Sequence, residues 1–105
     1  MFEERERGYE AKWAHDQEKL FRILARRDSA LGEWAAGLMK LPPAQVADYA
    51  GAVIQTGLTG KGPDPVLEKI RADFIARQIA CSDAELQARA NAFRAEAEDH
   101  FRNPG

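Results

Sequence analysis

Large apolar residues in the first third of the chain recur at the spacing of an α-helix. They follow one another at intervals of seven, four, seven, three and four residues, at Trp13, Leu20, Leu24, Leu31, Trp34 and Leu38. This period predicts one continuous amphipathic helix from about residue 3 to residue 40, its apolar face widened by Ile23, Ala35 and Leu41. Three glycines inside it are predicted weak points, each costing about 1 kcal/mol relative to alanine: Gly8, Gly32 and Gly37.

Prolines mark the start of the next two helices. The pair Pro42-Pro43 ends the first helix and begins the second, because proline fits the first turn of a helix but not its interior. The second helix is expected to end at Gly57, where a loop begins that extends to position 63. Asp64-Pro65 then opens a third helix as an N-cap followed by proline at the first helical position.

A capping box opens the fourth helix. In it, the Ser82 hydroxyl and the Glu85 carboxylate satisfy free backbone N–H groups of the first helical turn. Four helices joined by short connections predict an all-α fold, a small antiparallel four-helix bundle.

The first 19 residues differ from the rest of the chain. Their large apolar residues are only Phe2, Tyr9 and Trp13, set among many charged residues. We therefore expect a single bundle domain over residues 20–105 and a projecting arm over residues 1–19. An isolated helix of this length is only marginally stable in water, so the arm is predicted to be partly disordered alone and to fold on docking.

Composition narrows the possible functions. The 105 residues carry a formal net charge of -2, which argues against a nucleic-acid partner, since such proteins usually show a basic excess. A single cysteine, Cys81, allows no intramolecular disulfide and fits a reducing compartment. There is no apolar segment of the roughly 20 residues that would span a bilayer. These features predict a soluble, cytoplasmic protein.

The dipeptide His15-Asp16 is the most suggestive candidate for chemistry. Adjacent residues on a helix do not face one another, which disfavours a catalytic pair. A structural zinc site usually takes four ligands, and the only other histidine is His100. We interpret His15-Asp16 as one turn of a partner-facing helix and predict neither a catalytic residue, nor a metal, nor a cofactor.

Two segments could bind anions. The loop GLTGKG lacks the glycine spacing, the hydroxyl residue and the preceding strand of a phosphate-binding P-loop. The pair Arg26-Arg27 could contact phosphates, but its acidic neighbours and the net charge favour ion pairs with a protein partner or within the bundle. An alternative function remains: a helical ligand-binding module, such as an adenine-nucleotide sensor, with Lys61, Arg71 and Arg77 near its pocket.

The first 36 residues resemble a known family. The pattern comprises Arg5-Glu6, then EAKWAHD at positions 10–16, Phe21, ARR at positions 25–27, Leu31-Gly32 and WAA at positions 34–36. It resembles the zeta subunit of alphaproteobacterial F-type ATP synthases, a family of small ATPase inhibitors. Weaker similarity continues through positions 47–50 and 66–74.

The resemblance implies a function that the pattern alone does not. It implies a four-helix bundle whose N-terminal segment inserts at a catalytic interface of the alpha and beta subunits, next to the gamma subunit, and blocks ATP hydrolysis. The implied partners are these three subunits of the ATP synthase head, and the protein would not be an enzyme. The expected partner-binding residues are Phe2, Glu3, Arg5, Arg7, Tyr9, Glu10, Lys12, Trp13, His15, Asp16, Lys19, Arg22, Arg26 and Arg27.

Overall fold

Four α-helices follow one another along the chain. A computed structural model describes the backbone of residues 2–102 and the side chains of residues 16–102. The helices are α1 (Phe2–Leu38), α2 (Pro43–Thr59), α3 (Pro65–Ala76) and α4 (Asp83–Arg102). The described residues contain no strand. The predicted all-α bundle is confirmed.

Successive helices of the bundle are antiparallel. Gly32 of α1 lies against Ala50 of α2, and the Tyr49 hydroxyl of α2 reaches Asp73 of α3. On the other side of α1, the Arg89 guanidinium of α4 lies 5.7 Å from the centre of the Trp34 ring. The long helix α1 is thus covered by α2 and α4, and α3 completes the bundle.

The hydrophobic core takes residues from all four helices. Its fully buried large side chains are Leu31, Val53, Val66 and Ile70. Trp34 of α1 packs edge-to-face on the buried Phe74 of α3, with ring centres 5.8 Å apart. Two members of the predicted apolar stripe of α1, Leu20 and Leu38, are instead 38% and 40% exposed.

Both α1 and α3 end in the same backbone arrangement. The Leu41 N–H donates to the Ala36 carbonyl at 3.0 Å and the Lys40 N–H to the Gly37 carbonyl at 3.1 Å, with Lys40 at a φ of 57°. This is a Schellman motif, which satisfies carbonyls that lack a partner inside the helix. Consequently α1 stops at Leu38 rather than at the predicted Lys40, and Gln78 has the equivalent role after α3.

Gly32, expected as a weak point, is where α1 and α2 come closest. A Cβ atom placed on Gly32 would lie 2.7 Å from the Ala50 Cα and 3.2 Å from its Cβ. A methyl group at that position would push the two helix backbones apart. Glycine is therefore required there by the packing of the bundle.

Gly32→Ala and Gly37→Ala should change stability in opposite directions. The first should lower the free energy of unfolding by about 1–3 kcal/mol, because the added methyl overpacks the α1–α2 contact. The second should raise it by up to about 1 kcal/mol, since a Cβ on Gly37 has nothing within 4 Å and alanine is the better helix former. Urea unfolding of both variants measures the difference. Equal changes in the free energy of unfolding would show that helix propensity, rather than the contact with Ala50, determines the effect of both substitutions.

A polar contact joins α2 to α3. The Tyr49 hydroxyl donates to the Asp73 Oδ2 at 2.7 Å, and the Lys69 Nζ lies 3.1 Å from the same oxygen. Burial, and then the Asp73 carboxylate, raise the pKa of Tyr49 well above its usual value. The neutral phenol is therefore the form that the folded state holds.

This contact predicts a loss of stability in alkali. The unfolded chain releases the Tyr49 proton near pH 10, whereas the folded chain retains it to higher pH. The stabilisation by Tyr49 relative to Tyr49→Phe should be constant below pH 10 and fall by up to about 1.4 kcal/mol per pH unit above it. Urea titrations between pH 8 and 11, with Tyr9→Phe in both proteins, would measure it. A difference between the two proteins that does not vary with pH would contradict this assignment.

Candidate functional site

α1 leaves the bundle near residue 22. Every side chain from position 16 to position 22 is exposed, and Ile23 is the first buried residue of the described part of α1. Arg26 of α1 and Ala97 of α4 line one groove, so α4, which ends at Arg102, covers α1 only to about this level. The helix continues beyond the bundle toward Phe2.

Two neighbouring apolar side chains are exposed where α1 leaves the bundle. Leu20 is 38% and Phe21 54% exposed. Leu20 was predicted to belong to the apolar stripe of α1 and to the bundle domain, but it lies at the level where the neighbouring helices end. Phe21 was not among the expected partner-binding residues, although it belongs to the family pattern and is exposed.

Charged side chains surround this apolar pair. Asp16, Lys19, Arg22 and Arg26, all expected to bind the partner, are exposed. Arg22 pairs with Glu18 one turn away at 2.6 Å, but both side chains are more than half exposed. Such a surface pair adds at most about 0.5 kcal/mol to stability and leaves both charges accessible to a partner.

The remaining expected residues before Asp16 lie where only the backbone is described. That backbone is helical, in line with the predicted helix. The side chains outside the described set are those of Phe2, Glu3, Arg5, Arg7, Tyr9, Glu10, Lys12, Trp13 and His15. Their assignment to the partner surface stays a prediction.

Arg27 is placed differently from the other expected residues. It is 9% exposed, and its guanidinium is shared by two carboxylates, Asp28 at 2.7 Å and Asp64 at 3.1 Å. Burial disfavours the charged guanidinium, but the hydrogen bonds that it donates to both carboxylates, together with their negative charges, outweigh that effect and hold the pKa of Arg27 above its usual value. Of the two ion-pairing roles left open for Arg27, the structure shows the one within the bundle, and its assignment to the partner surface stays a prediction.

The other candidates for chemistry are dispersed. Among residues whose side chains are described, no three of His, Cys, Asp or Glu come together as a metal site, and His100 is exposed. Burial, and then the nearby Glu85, raise the pKa of the Cys81 thiol, which is the reverse of an activated nucleophile. Ser82 caps α4 as predicted, its Oγ accepting the Glu85 N–H at 3.1 Å.

The cations of the ligand-module alternative do not converge. Lys61 precedes α3 and Arg77 follows it, which separates them by a helix of about 18 Å. Arg71 is engaged by Asp83 of α4 at 2.6 Å. In the part of the chain whose side chains are described, these three cations therefore do not line one common pocket.

The sequence matches one known protein family over nearly its whole length. The model of the family "ATPase inhibitor subunit zeta" matches residues 1–100 of the 105. The chain belongs to this family. Searches of curated proteins and of solved structures found no match.

The zeta family, to which this chain belongs, consists of ATPase inhibitor subunits. The match extends to residue 1 and therefore includes the whole of α1, not the bundle alone. In the described part of this zeta-family chain, no helix is both long and apolar enough to cross a membrane.

Proposed function

We propose that this chain inhibits ATP hydrolysis by the F-type ATP synthase by inserting the start of α1 at a catalytic interface between alpha and beta subunits, next to the gamma subunit. Residues 1–19 are the inserting arm, and residues from about 20 onward are the body that holds it. The protein acts as a stoichiometric inhibitor in the cytoplasm and is not an enzyme.

The observation that carries this proposal is the exposed apolar pair Leu20 and Phe21, at the point where α1 leaves the bundle. Spacings of seven, four and seven residues place Phe2, Tyr9, Trp13 and Leu20 on one side of the helix. Leu20 is the member of this stripe whose side chain is described, and it is exposed beside Phe21. An amphipathic helix with an uncovered apolar side is suited to docking in a groove of a partner.

Position along the helix supports the same interpretation. Leu20 lies eleven residues before Leu31, which is fully buried, and eleven residues are close to three helical turns. The apolar side of the arm is thus in line with the side of α1 that α2 and α4 cover further along. In the complex, the partner would cover the arm as these helices cover the body.

We expect the charged residues beside Leu20 and Phe21 to guide the arm to its partner, and to add little to the binding energy. Asp16, Lys19 and Arg22 are exposed beside Leu20 and Phe21, where they would surround an apolar contact. Charges at the edge of an interface mainly set association rate and register, whereas buried aromatic anchors contribute most of the binding energy.

The proposed inhibition is mechanical. An arm ordered in the cleft obstructs rotation of the gamma subunit in the hydrolysis direction, and rotation in the synthesis direction loosens the inserted helix. The arm gains its full order on docking, because an isolated helix is marginally stable while tertiary contacts supply most of its stability.

Titration of ATP hydrolysis by the purified cognate head tests the proposal. The full chain is compared with a chain of residues 20–105, which retains every buried residue of the described part. Inhibition by the full chain that is lost in the shorter one is the expected result. Binding by both chains without inhibition by either would give the body another regulatory role. If neither chain binds, the proposal is contradicted and the ligand-module alternative is favoured.

A further inference from the structure

A buried ionic cluster lies one helical turn inside the point where α1 leaves the bundle. The Arg27 Nη1 donates to the Asp64 Oδ2 at 3.1 Å, and its Nη2 donates to the Asp64 Oδ1 at 3.2 Å. The same guanidinium donates from Nε and Nη2 to the Asp28 Oδ1, at 2.9 and 2.7 Å. Arg27 thus ties α1 to Asp64, which directly precedes α3.

The geometry of this cluster depends on arginine. Two parallel N–H donors meet the two oxygens of Asp64, an arrangement that a lysine ammonium cannot reproduce because it is a compact point charge. The contact fixes a direction as well as a distance. It therefore constrains the rotation of α1 relative to α3.

Asp64 contributes to this contact instead of capping its own helix. It occupies the N-cap position of α3, yet its side chain makes no capping hydrogen bond. A capping aspartate usually adds about 1 kcal/mol of stability. The carboxylate is turned toward Arg27, so its main partner is on α1.

α2 closes the cluster from a third side through Gly57. A Cβ atom on Gly57 would collide with the Asp28 Oδ2 and lie 3.3 Å from the Val66 Cγ2. α2 continues to Thr59, past the predicted end at Gly57, so this glycine lies inside the helix and faces the carboxylate. α1, α2 and the residue that precedes α3 thus meet at Arg27 and Asp28.

A small change in helix direction at the cluster would move the far end of the arm by a large distance. Arg27 lies 25 residues from Phe2, the start of α1, or about 38 Å of helix. A change of about 10° in the direction of α1 at Arg27 would move the tip of such a helix by about 7 Å. A small rearrangement at the cluster would thus be a large displacement at the arm.

We propose that Arg27 and Asp64 are positioning residues, which set the direction in which the arm leaves the body and so hold it ready for insertion. This inference rests on the proposed inhibitory function, and it concerns residues that pair with each other inside the bundle. Pre-orientation reduces the conformational freedom lost on binding and so strengthens it.

Asp64→Asn tests the inference, with Asp83→Asn as the matched control. The first removes the charge that joins Arg27 to α3, and asparagine is as good an N-cap as aspartate. The second breaks an exposed arginine–aspartate pair between α3 and α4, on Arg71, far from the arm. Circular dichroism confirms that both variants are folded before use.

The first measurement needs no ATP synthase. Spin labels at Gln17→Cys and Gln55→Cys, both exposed positions, are placed in a Cys81→Ser chain, and the distribution of distances between them is recorded. Asp64→Asn should shift or broaden the distribution, whereas Asp83→Asn should leave it unchanged. An unchanged distribution in Asp64→Asn would overturn the inference even if the chain inhibits.

The second measurement is inhibition of ATP hydrolysis by the full chain. Asp64→Asn should raise the concentration for half inhibition by about 10-fold through lost pre-orientation. Asp64→Glu, which keeps the carboxylate, should recover part of that loss, and Asp83→Asn should inhibit as the wild type does. If the wild type inhibits and Asp64→Asn inhibits equally well, the positioning role is wrong; if the wild type does not inhibit, the proposed function itself fails.

Discussion

Phe21→Ala is expected to weaken inhibition of the ATP synthase by about 30-fold, equal to the roughly 2 kcal/mol lost with an aromatic anchor at an interface. Phe21 is 54% exposed, so its ring contributes little to the folded body and remains available to a partner. Aromatic side chains provide large contact area at low entropic cost, so we expect Phe21 to be the strongest anchor among the described residues near the point where α1 leaves the bundle. Hydrolysis by the cognate head, measured against inhibitor concentration, gives the change directly.

Ile75→Ala provides the matched control for Phe21. Ile75 is 71% exposed on α3, so the variant also removes a large exposed apolar side chain, but away from the arm. It should inhibit within about 2-fold of the wild type, since most surface residues are not anchors. If both variants lose inhibition equally, the body surface rather than the base of the arm carries the contact. If Phe21→Ala inhibits normally, Phe21 is not an anchor.

Arg27→Ala is expected to lower the free energy of unfolding by about 3–5 kcal/mol. Removing the guanidinium leaves Asp28, 5% exposed, without its main partner and next to the second carboxylate, Asp64. An uncompensated buried charge costs far more than the lost attraction of an exposed pair. Because small domains have net stabilities of about 5–15 kcal/mol, this change should be among the most damaging single substitutions in the bundle.

Arg22→Ala is the control that separates the effect of side-chain burial from the effect of the distance between the paired charges. The Arg22–Glu18 pair is as short as the Arg27–Asp28 pair, 2.6 against 2.7 Å, but its side chains are 61% and 58% exposed. Its loss should cost less than about 0.5 kcal/mol. Urea unfolding of both variants at neutral pH measures the contrast. Similar costs for the two would mean that water reaches the Arg27 cluster and that the cluster is not a buried site.

Local sequence signals predicted the helices well because their causes are local. Pro42-Pro43 begins α2 within one residue of the predicted position, and Asp64-Pro65 begins α3. The Ser82 hydroxyl caps α4. Proline geometry and capping hydrogen bonds act within one helical turn, so a single sequence contains all the information they need.

The end of α2 was predicted two residues early because the prediction used only local signals. Glycine favours a helix end when only local propensity is considered, which placed the boundary at Gly57. The structure continues α2 to Thr59, and Gly57 faces Asp28 across the α1–α2 contact, where a larger residue would collide. Glycine at this position thus serves the packing of two helices, which the local sequence does not show.

The sequence by itself determined the all-α class, the starts of the helices, the resemblance to a family of ATPase inhibitors and the amphipathic character of α1. Only the tertiary structure decided that Leu20 and Phe21 stay outside the bundle and that Arg27 lies inside it. The physical reason is that exposure depends on which helices run alongside a residue. A period of 3.6 residues shows which side of α1 is apolar, but not where the neighbouring helices end or which carboxylate reaches across to a buried arginine.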